Sequence, residues 1–547
     1  MKRHGHTQPA VLRPVLDYHE ATKHRFEGFA PGPGFLDWAT QPDPFRRYAG
    51  ARLIALEQVA PTDTPCYDAI FTSGRQPAPQ PVNLHSLSQL CYDSLALSAW
   101  KRAGASRWAL RVNASSGNLH PTEGYLVCGP VAGLCERPMV CHYAPREHAL
   151  EVRAEFDAGL WERLCAGFPA GTFFIALTSI HWREAWKYGL RAYRYCMHDA
   201  GHALGALGIA AAGLGWQARL LDDIGTEALG VLLGTSQPHD AEAEEPDLLV
   251  ACMPVASVPA LPVVPAGLLQ SFGSLDWQGQ PNRLSPSHVA WGIEAFAAQV
   301  RKPHGACVCE TFAMPPQSFD PPLRAVALRR MIRQRRSAVA MDGETRIARE
   351  AFYRILDRTL AVPAAVPFGM LPWKSQLHLA LLVHRVDDIP PGLYLLVRDP
   401  AQTETLRAAL TQADPWQKPP GCPETLPLYC LIESDTRNAA REISCQQDIA
   451  SDGCFSLAML AEFRAPLERY GPWFYPRLYW EAGMLGQLLY LEAEAAGISA
   501  TGIGCYFDDP MHEVLGLQDR RFQDLYHFTV GGAVEDARLM TEPAYGG

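Results

Sequence analysis

The chain has 547 residues, too many for one hydrophobic core, so two large domains are expected. A hydrophobic content of 48% with 19% charged residues is the composition of a folded globular protein and excludes a disordered one. The formal net charge is -10 and no lysine/arginine block stands out, which excludes nucleic-acid binding as the main task. The N-terminal stretch "MKRHGHTQPAVLRPVLDYHE" has no continuous apolar core of a signal peptide. The longest apolar run, "ALGALGIAAAGLGW" from Ala203, is too short to span a bilayer, so no membrane attachment and a cytoplasmic location are expected. The fifteen cysteines form no C-x-x-C pair, Cys307 and Cys309 coming nearest, so reduced core thiols are expected and no metal site.

Along the chain, apolar strand-like runs alternate with helical segments. "GYLVCGP" from Gly124 and "TFFIALTS" from Thr172 lie in the first half; "LHLALLVHRV" from Leu377 and "LPLYCLIES" from Leu426 lie in the second. Between them, residues 254–322 are dense in proline and read as a connection, with a possible helix in "SPSHVAWGIEAFAAQVRK". This sets expected domains at 1–253 and 323–547. The halves share a pattern. "DDIGTEALG" (Asp222 to Gly230) and "DDPMHEVLG" (Asp508 to Gly516) both read D-D-x-x-x-E-x-L-G. Upstream, "DAGHALGALGIAAAGLG" from Asp199 lines up with "EAGMLGQLLYLEAEAAGISATGIG" from Glu481, each an apolar helix running into a glycine-rich turn. Two matches in the same order indicate duplication. The expected class is α+β, with two tandem domains packed through long buried helices as a pseudo-dimer within one chain.

Four segments carry candidate chemistry. "RVNASSGNLHPTEGYLV" (Arg111 to Val127) packs Ser115, Ser116, Gly117 and Asn118 at the mouth of a strand, and has no counterpart in the second half. "WREAWKYGLRAYRY" holds the adjacent pair Lys187 and Tyr188, two side chains able to transfer protons, beside Arg183, Arg191 and Arg194. "RQRRSAVAMD" holds Arg335, Arg336 and Ser337, guanidinium groups beside a hydroxyl that suit a phosphate monoester, although R-R-S alone reads as a solvated helix face. "HDAGH" puts His198 and His202 one helical turn apart, but with no convincing third ligand.

Together these segments resemble the nitroreductase superfamily of FMN enzymes, in particular the SagB-type dehydrogenases that include thiazoline/oxazoline oxidases. "LRVNASSGNLHPTEGYLV" is similar to the family's polar loop and following strand, and "IRQRRSAVAMD" to its R-x-S entry motif. "WKYGLRAYRYCMHDAGHALGALGIAAAGLG" is similar to the family's K-Y-G segment and central dimer helix, and "GISATGIGCYFDDPMHEVLGL" to its glycine-rich turn by the flavin. "LYHFTVGGAVEDARLMTEPAY" is similar to its closing strand and phosphate-binding arginine. The resemblance implies an FMN held between the halves. Arg335, Arg336, Ser337 and Arg538 would come from the second half, Ser115, Ser116, Gly117 and Asn118 from the first, and Gly502 and Gly504 would lie near the ring. It implies Lys187 and Tyr188 as the catalytic pair. In the first half "EATKHRF" stands where R-x-S is expected, and in the second "PFGMLPWKSQ" stands where the polar loop is expected, so one FMN per chain is predicted. The expected substrate is a small molecule or a peptide. The alternatives are an NAD(P)H-dependent nitroreductase or flavin reductase, and a non-catalytic scaffold of a peptide-modification assembly. Residues 31–48, "PGPGFLDWATQPDPFRRY", are expected as a strap over the second domain or a substrate-side arm.

Overall fold

The computed structural model describes residues 10–72, 74–236, 242–256, 260–308, 324–362, 365–411 and 416–546. Cys309 and the second proline cluster of the connection, 314–322, lie outside these residues.

Strand-forming runs assemble into two large antiparallel sheets. The first has seven strands in the order Arg52–Ala55, Ala149–Glu155, Met139–Ala144, Thr122–Cys128, Phe173–Ser179, Glu245–Met253, Gln217–Leu220. The second has six, in the order Leu428–Glu433, Gly392–Leu396, Leu377–Val383, Phe455–Glu462, Phe522–Gly531, Ser499–Ile503. Apart from the extra edge strand Arg52–Ala55, the two sheets place corresponding strands in the same spatial order. That agreement is the three-dimensional form of the repeat, and it is the α+β tandem arrangement expected above. The central strands are buried on both faces, which explains runs such as Leu377–Val383 that show no polar alternation.

Two long helices, Ala192–Gly213 and Tyr475–Ala495, pack against each other between the sheets. In the first every residue but Ala212 is buried, and in the second every residue but Glu494, so neither shows an amphipathic stripe. Their closest approach is at Gly201 and Gly483. A Cβ on Gly201 would lie 2.3 Å from the Trp480 carbonyl oxygen, and one on Gly483 2.0 Å from that of His198. The two glycines occupy matching places in the repeat, so the pseudo-twofold passes beside them.

Reciprocal ion pairs lock the halves. Asp508 of the second acidic pair accepts from Arg191 (2.8 Å) and Arg194 (2.6 Å) of the first central helix region, and Asp222 of the first acidic pair accepts from Arg477 (2.9 Å) of the second. All five groups are buried, where breaking one partner of a pair costs about 3–5 kcal/mol.

Both chain ends cross over. From the helix Arg13–Ala21, His19 reaches Tyr475 (3.3 Å) and Gln523 (3.1 Å), and just beyond it Lys23 pairs with Asp509 (2.6 Å). At the other end Met540–Glu542 adds an edge strand to Leu97–Ala103 of the first half. "EATKHRF" is therefore part of this N-terminal crossing and does not stand at the R-x-S position. The segment at that position in the first half is Gln76–Pro79, whose continuation Gln80 donates its backbone N–H to Leu214 O (3.0 Å) as Ala338 does to Ala500 O (3.1 Å). Of the two expectations for 31–48, the strap over the second domain is not met: the segment lies across the first half's own Lys-Tyr helix. Leu190 N–H donates to Pro31 O (2.9 Å), and Trp186 donates its indole N–H to Thr40 (3.1 Å). No described helix is long and apolar enough to cross a membrane.

Candidate functional site

A cavity of about 740 Å³ opens between the halves. From the first half it is lined by Asn113, Ser115, Ser116, Gly117, Asn118, Tyr188 and Tyr195. From the second it is lined by Arg335, Arg336, Ser337, Tyr490, Gly502, Gly504 and Cys505. Ten residues singled out from the sequence thus meet around one space, from four segments spread between Ser115 and Gly504.

The polar loop is shaped by backbone conformations most residues avoid. Gly117, Asn118 and His120 have φ of 58°, 60° and 53°, the left-handed region. A side chain at Gly117 has no room: its Cβ would sit 2.4 Å from the Tyr188 hydroxyl and 3.2 Å from Lys187 Nζ. This same closeness fixes where the Lys-Tyr pair stands, over the loop at Gly117. Lys187 does not line the cavity itself; Tyr188 does. The serine hydroxyls build the loop: Ser115 Oγ accepts from His120 N–H (2.8 Å), while Ser116 donates its hydroxyl to Asp199 (2.9 Å) and its N–H to the same carboxylate (2.9 and 3.1 Å).

Electrostatics on this side are governed by burial. Burial pushes the Asp199 carboxyl up to about 7, against the opposing pull of hydrogen bonds from Ser115 and Ser116. Glu184, on the helix that carries Lys187, is fully buried with neither carboxylate oxygen hydrogen-bonded, and burial followed by repulsion from Asp199 holds it well above the usual carboxylate range. Burial and then Glu184 raise Tyr188 well above an ordinary phenol, so its hydroxyl is a proton donor and not a phenolate. The arginines flanking the Lys-Tyr pair in sequence are turned away from it. Arg183 is bound to Glu123 and to the carbonyls of His120 (2.8 Å) and Asp43 (3.1 Å), and Arg191 and Arg194 hold Asp508.

On the opposite wall Arg335 is buried, 4% exposed. Its Nη2 donates to the carbonyls of Arg111 (3.2 Å) and Val112 (3.3 Å), while Nε and Nη1 have no partner. Burial lowers its pKa below the usual guanidinium value, and no carboxylate is bonded to it. Arg335 packs over the Tyr490 ring (4.7 Å) and feels the Glu494 carboxylate without bonding it, so two of its donors remain for an anion. Ser337 shares a hydrogen bond with Tyr490 (2.8 Å), and Gly502 N–H donates to the same hydroxyl (3.0 Å). Arg336 donates to the carbonyls of Arg333, Arg335 and Ser98 (2.7, 2.7 and 3.2 Å) and is lowered to about 10 by burial and by Arg335. Arg538 does not line the cavity, although its chain neighbours Ala533 to Asp536 and Leu539 do: its side chain is 86% exposed and grips Asp536 (2.7 Å). Sequence reading missed Lys101, Asn113, Tyr195, Asp199, Gln447 and Cys505. Of these, Asp199 carried a signal, since it opens the repeat segment aligned with Glu481.

These features fit FMN. Two unpaired buried guanidinium donors suit a phosphate, the volume lies in the range of ligand pockets, and the glycines at 117, 502 and 504 leave flat wall where a Cβ would meet Tyr188, Tyr526 or Tyr195. No cluster of histidine, cysteine, aspartate or glutamate suited to a metal ion occurs among the described residues. His202 is engaged by Gln487 (3.3 Å) and Tyr526 (3.1 Å), and His198 stacks on Tyr526.

The pseudo-equivalent place holds a smaller cavity of about 230 Å³, lined by Gln76–Pro79, Gly208, Arg219, Pro367 and Met370. Met370, seven residues before its strand as Ser115 is before its own, lies 2.4 Å (Sδ) from where a Cβ on Gly208 would stand. Prolines take the place of R-R-S.

Residues 332–532 match the family model described as "Nitroreductase family". No curated protein matches. Among solved structures, an Anabaena variabilis ATCC 29413 protein assigned as a nitroreductase is 21% identical. It covers 95% of this chain and 99% of its own, with a TM-score of 0.67. A Ralstonia eutropha JMP134 protein assigned in the same way is 18% identical over 42% of this chain and 98% of its own, with a TM-score of 0.28. The E. coli microcin synthetase McbBCD complex with truncated pro-MccB17 bound is 18% identical over 46% of this chain and 95% of that one, at a TM-score of 0.26. Residues 332–532 are therefore a Nitroreductase-family domain, and the chain as a whole has the mixed α/β nitroreductase fold as two tandem units.

Proposed function

We propose that the chain is an FMN-dependent oxidoreductase of the SagB type, with one FMN per chain in the cavity between its halves. The halves are residues 1–253 and 323–547, joined by 254–322. The observation that carries this reading is Arg335, buried at the cavity wall with two guanidinium nitrogens unpaired and the third bonded to the Arg111 and Val112 carbonyls, which lead into the polar loop of the other half. The substrate is a small molecule or a peptide that is dehydrogenated.

FMN, when bound, supplies two-electron redox chemistry. Arg335 and Ser337 would hold its phosphate, with Arg336 adding charge beside them. The loop Ser115–Asn118, Gly502 and Gly504 would face its ring. Lys187 Nζ, standing over Gly117, would take a proton from the substrate carbon. Tyr188 keeps its own proton and would orient the substrate through its hydroxyl. Buried Glu184 lies on the helix that carries the pair, His181–Tyr188, and buried Asp199 on the next helix, Ala192–Gly213. Tyr195 closes the wall by donating its hydroxyl to Gly504 O (3.0 Å).

The test is the visible absorbance spectrum of purified protein, with the released flavin identified and counted. One FMN per chain, lost in Arg335→Ala, supports the reading. Two per chain, or none after addition of excess FMN, overturns it, and the latter outcome leaves a non-catalytic scaffold. NAD(P)H oxidation driven by a nitroaromatic and untouched by Lys187→Ala would identify a plain nitroreductase.

A further inference from the structure

Next to the cavity lies a pair of thiols with no part in the reading above. Cys505 lines the cavity wall directly after Gly504, and its Sγ is 3.0 Å from Cys445 Sγ, sixty residues away in sequence. Both side chains are half-buried, so a small reagent can reach them. Cys445 and the following Gln446 have φ of 54° and 59°, two consecutive non-glycine residues in the left-handed region. Such strain persists only where surrounding contacts enforce it. Here the enforcing contact is Gln447, which donates its side-chain amide to Cys505 O and to Ser444 O (both 2.8 Å) and so ties the two cysteine segments together. Two sulfurs held in contact need a shift of only about 1 Å to reach covalent distance.

We propose that Cys445 and Cys505 are a redox-active dithiol that reacts with low-molecular-weight disulfides and closes to an intramolecular disulfide. Cys505 is the attacking sulfur. In the resting pair the Cys505 S–H lies in hydrogen-bond contact with Cys445 Sγ (3.0 Å); once Cys505 ionises, the Cys445 S–H would donate to it in turn, and Arg191 lies near it, so both favour the Cys505 thiolate, whereas Cys445 is raised by the shared hydrogen bond and by burial. The Cys505 thiolate attacks one sulfur of the reagent, forming a mixed disulfide and expelling one thiolate. Cys445 then loses its proton to that thiolate and attacks Cys505 Sγ, expelling the second thiolate. Two protein thiols are oxidised, one disulfide reagent is reduced to two thiols, and the protons end on those products. The new bond would join the 444–447 turn to the segment whose Gly504 carbonyl receives Tyr195 and Arg191. The redox state of the pair would thereby reach the cavity wall. Elsewhere, Cys135 donates to a backbone carbonyl and its neighbour Cys128 is fully buried, so that pair lacks the exposure a reagent needs.

The experiment incubates reduced full-length protein with oxidised glutathione, quenches with N-ethylmaleimide and maps the digest by mass, counting released glutathione. The expected result is a linked Cys445–Cys505 peptide, two glutathiones released at this site and none retained. In Cys445→Ser one glutathione stays on Cys505. In Cys505→Ser reaction at the site slows at least about tenfold. Recovery of both wild-type cysteines as maleimide adducts overturns the proposal, and so does a lasting glutathione adduct on wild-type Cys505. The wild-type map decides alone if a variant does not fold.

Discussion

The two pseudo-equivalent cavities are built on the same strands and helices and differ in what was placed on them. In the larger, a buried arginine with unpaired donors faces a strained polar loop; in the smaller, prolines and a methionine fill the space to about a third of the volume. The carboxylates beneath them differ in the same sense. Asp199 accepts from the serines of the polar loop and, among the described residues, from no cation, whereas its counterpart Glu481 accepts from Ser375 (2.6 Å), Gln376 N–H (3.0 Å) and the buried Arg398 (2.7 Å). One half invests its buried acid in a neutralised structural pair, the other leaves it uncompensated beside a cavity. Uncompensated buried groups mark functional sites because structure alone gives no reason to keep them.

The largest effect is expected where that contrast is greatest. Arg335→Ala should weaken FMN binding about a hundredfold or more, since a buried charge-assisted contact is lost. Arg219→Ala, the cation of the smaller cavity, should leave binding within about twofold. Titration of apo-protein with FMN by fluorescence quenching compares them, and an equal loss in both variants would mean the smaller cavity also holds flavin. Next, Glu481→Gln should destabilise by about 3 kcal/mol, because Arg398 is then buried with its charge unpaired. A thermal midpoint unchanged within about 1 °C would sink that assignment.

Gly117→Ala comes third. Its left-handed φ and the Tyr188 hydroxyl in the Cβ position together predict a loss of about 2 kcal/mol and a displaced Lys-Tyr pair. Gly208→Ala on the other side, with no left-handed φ, meets the flexible Met370 side chain (Sδ 2.4 Å) and Pro367 Cβ at 3.3 Å, and should cost about 1 kcal/mol. If Gly208→Ala costs more than Gly117→Ala, the strained loop is not the more constrained of the two.

Much of this contrast was legible in the chain. The D-D-x-x-x-E-x-L-G repeat and the all-apolar helices announced a duplication, because buried helices and turn glycines keep their residue types when sheet and helix must pack the same way. The polar loop and R-R-S stood out because such residues have no packing role. What stayed hidden depends on paths through space. The N-terminal crossing put "EATKHRF" against the far half, since His19 and Lys23 find partners only after both sheets have formed. Proline-rich Gln76–Pro79 carries no chemistry to mark it as the occupant of the lost phosphate position. Arg538 matched a motif, yet Asp536 two residues away captures it at the surface. The contact of Cys445 with Cys505 crosses sixty residues with no spacing rule to reveal it.

The smallest effect is the most specific in its sign. Asp199 ionises near pH 7 in the folded chain and near 3.9 when unfolded, so between those values the folded state holds the extra proton. Stability from this group is fully present below about pH 4 and is lost as pH rises through about 7. Above that, the carboxylate is charged in both states and its burial counts fully against folding. The groups facing it are Ser115 and Ser116 from the loop, Arg111 from the adjoining strand, and Glu184 from the neighbouring helix. Arg111 and the serines favour the anion, and Glu184 opposes it. Asp199→Asn keeps an acceptor for Ser116 and removes the charge. It should therefore exceed wild type by only about 0.5 kcal/mol near pH 5 and by about 1–2 kcal/mol near pH 8, a partial return on roughly three pKa units because neighbouring groups relax. Thermal midpoints of both proteins at the two pH values measure it. A variant no more stable than wild type at pH 8, or one whose advantage shrinks as pH rises, would show that Asp199 is compensated as Glu481 is, and that the two halves differ at the cavity walls but not beneath them.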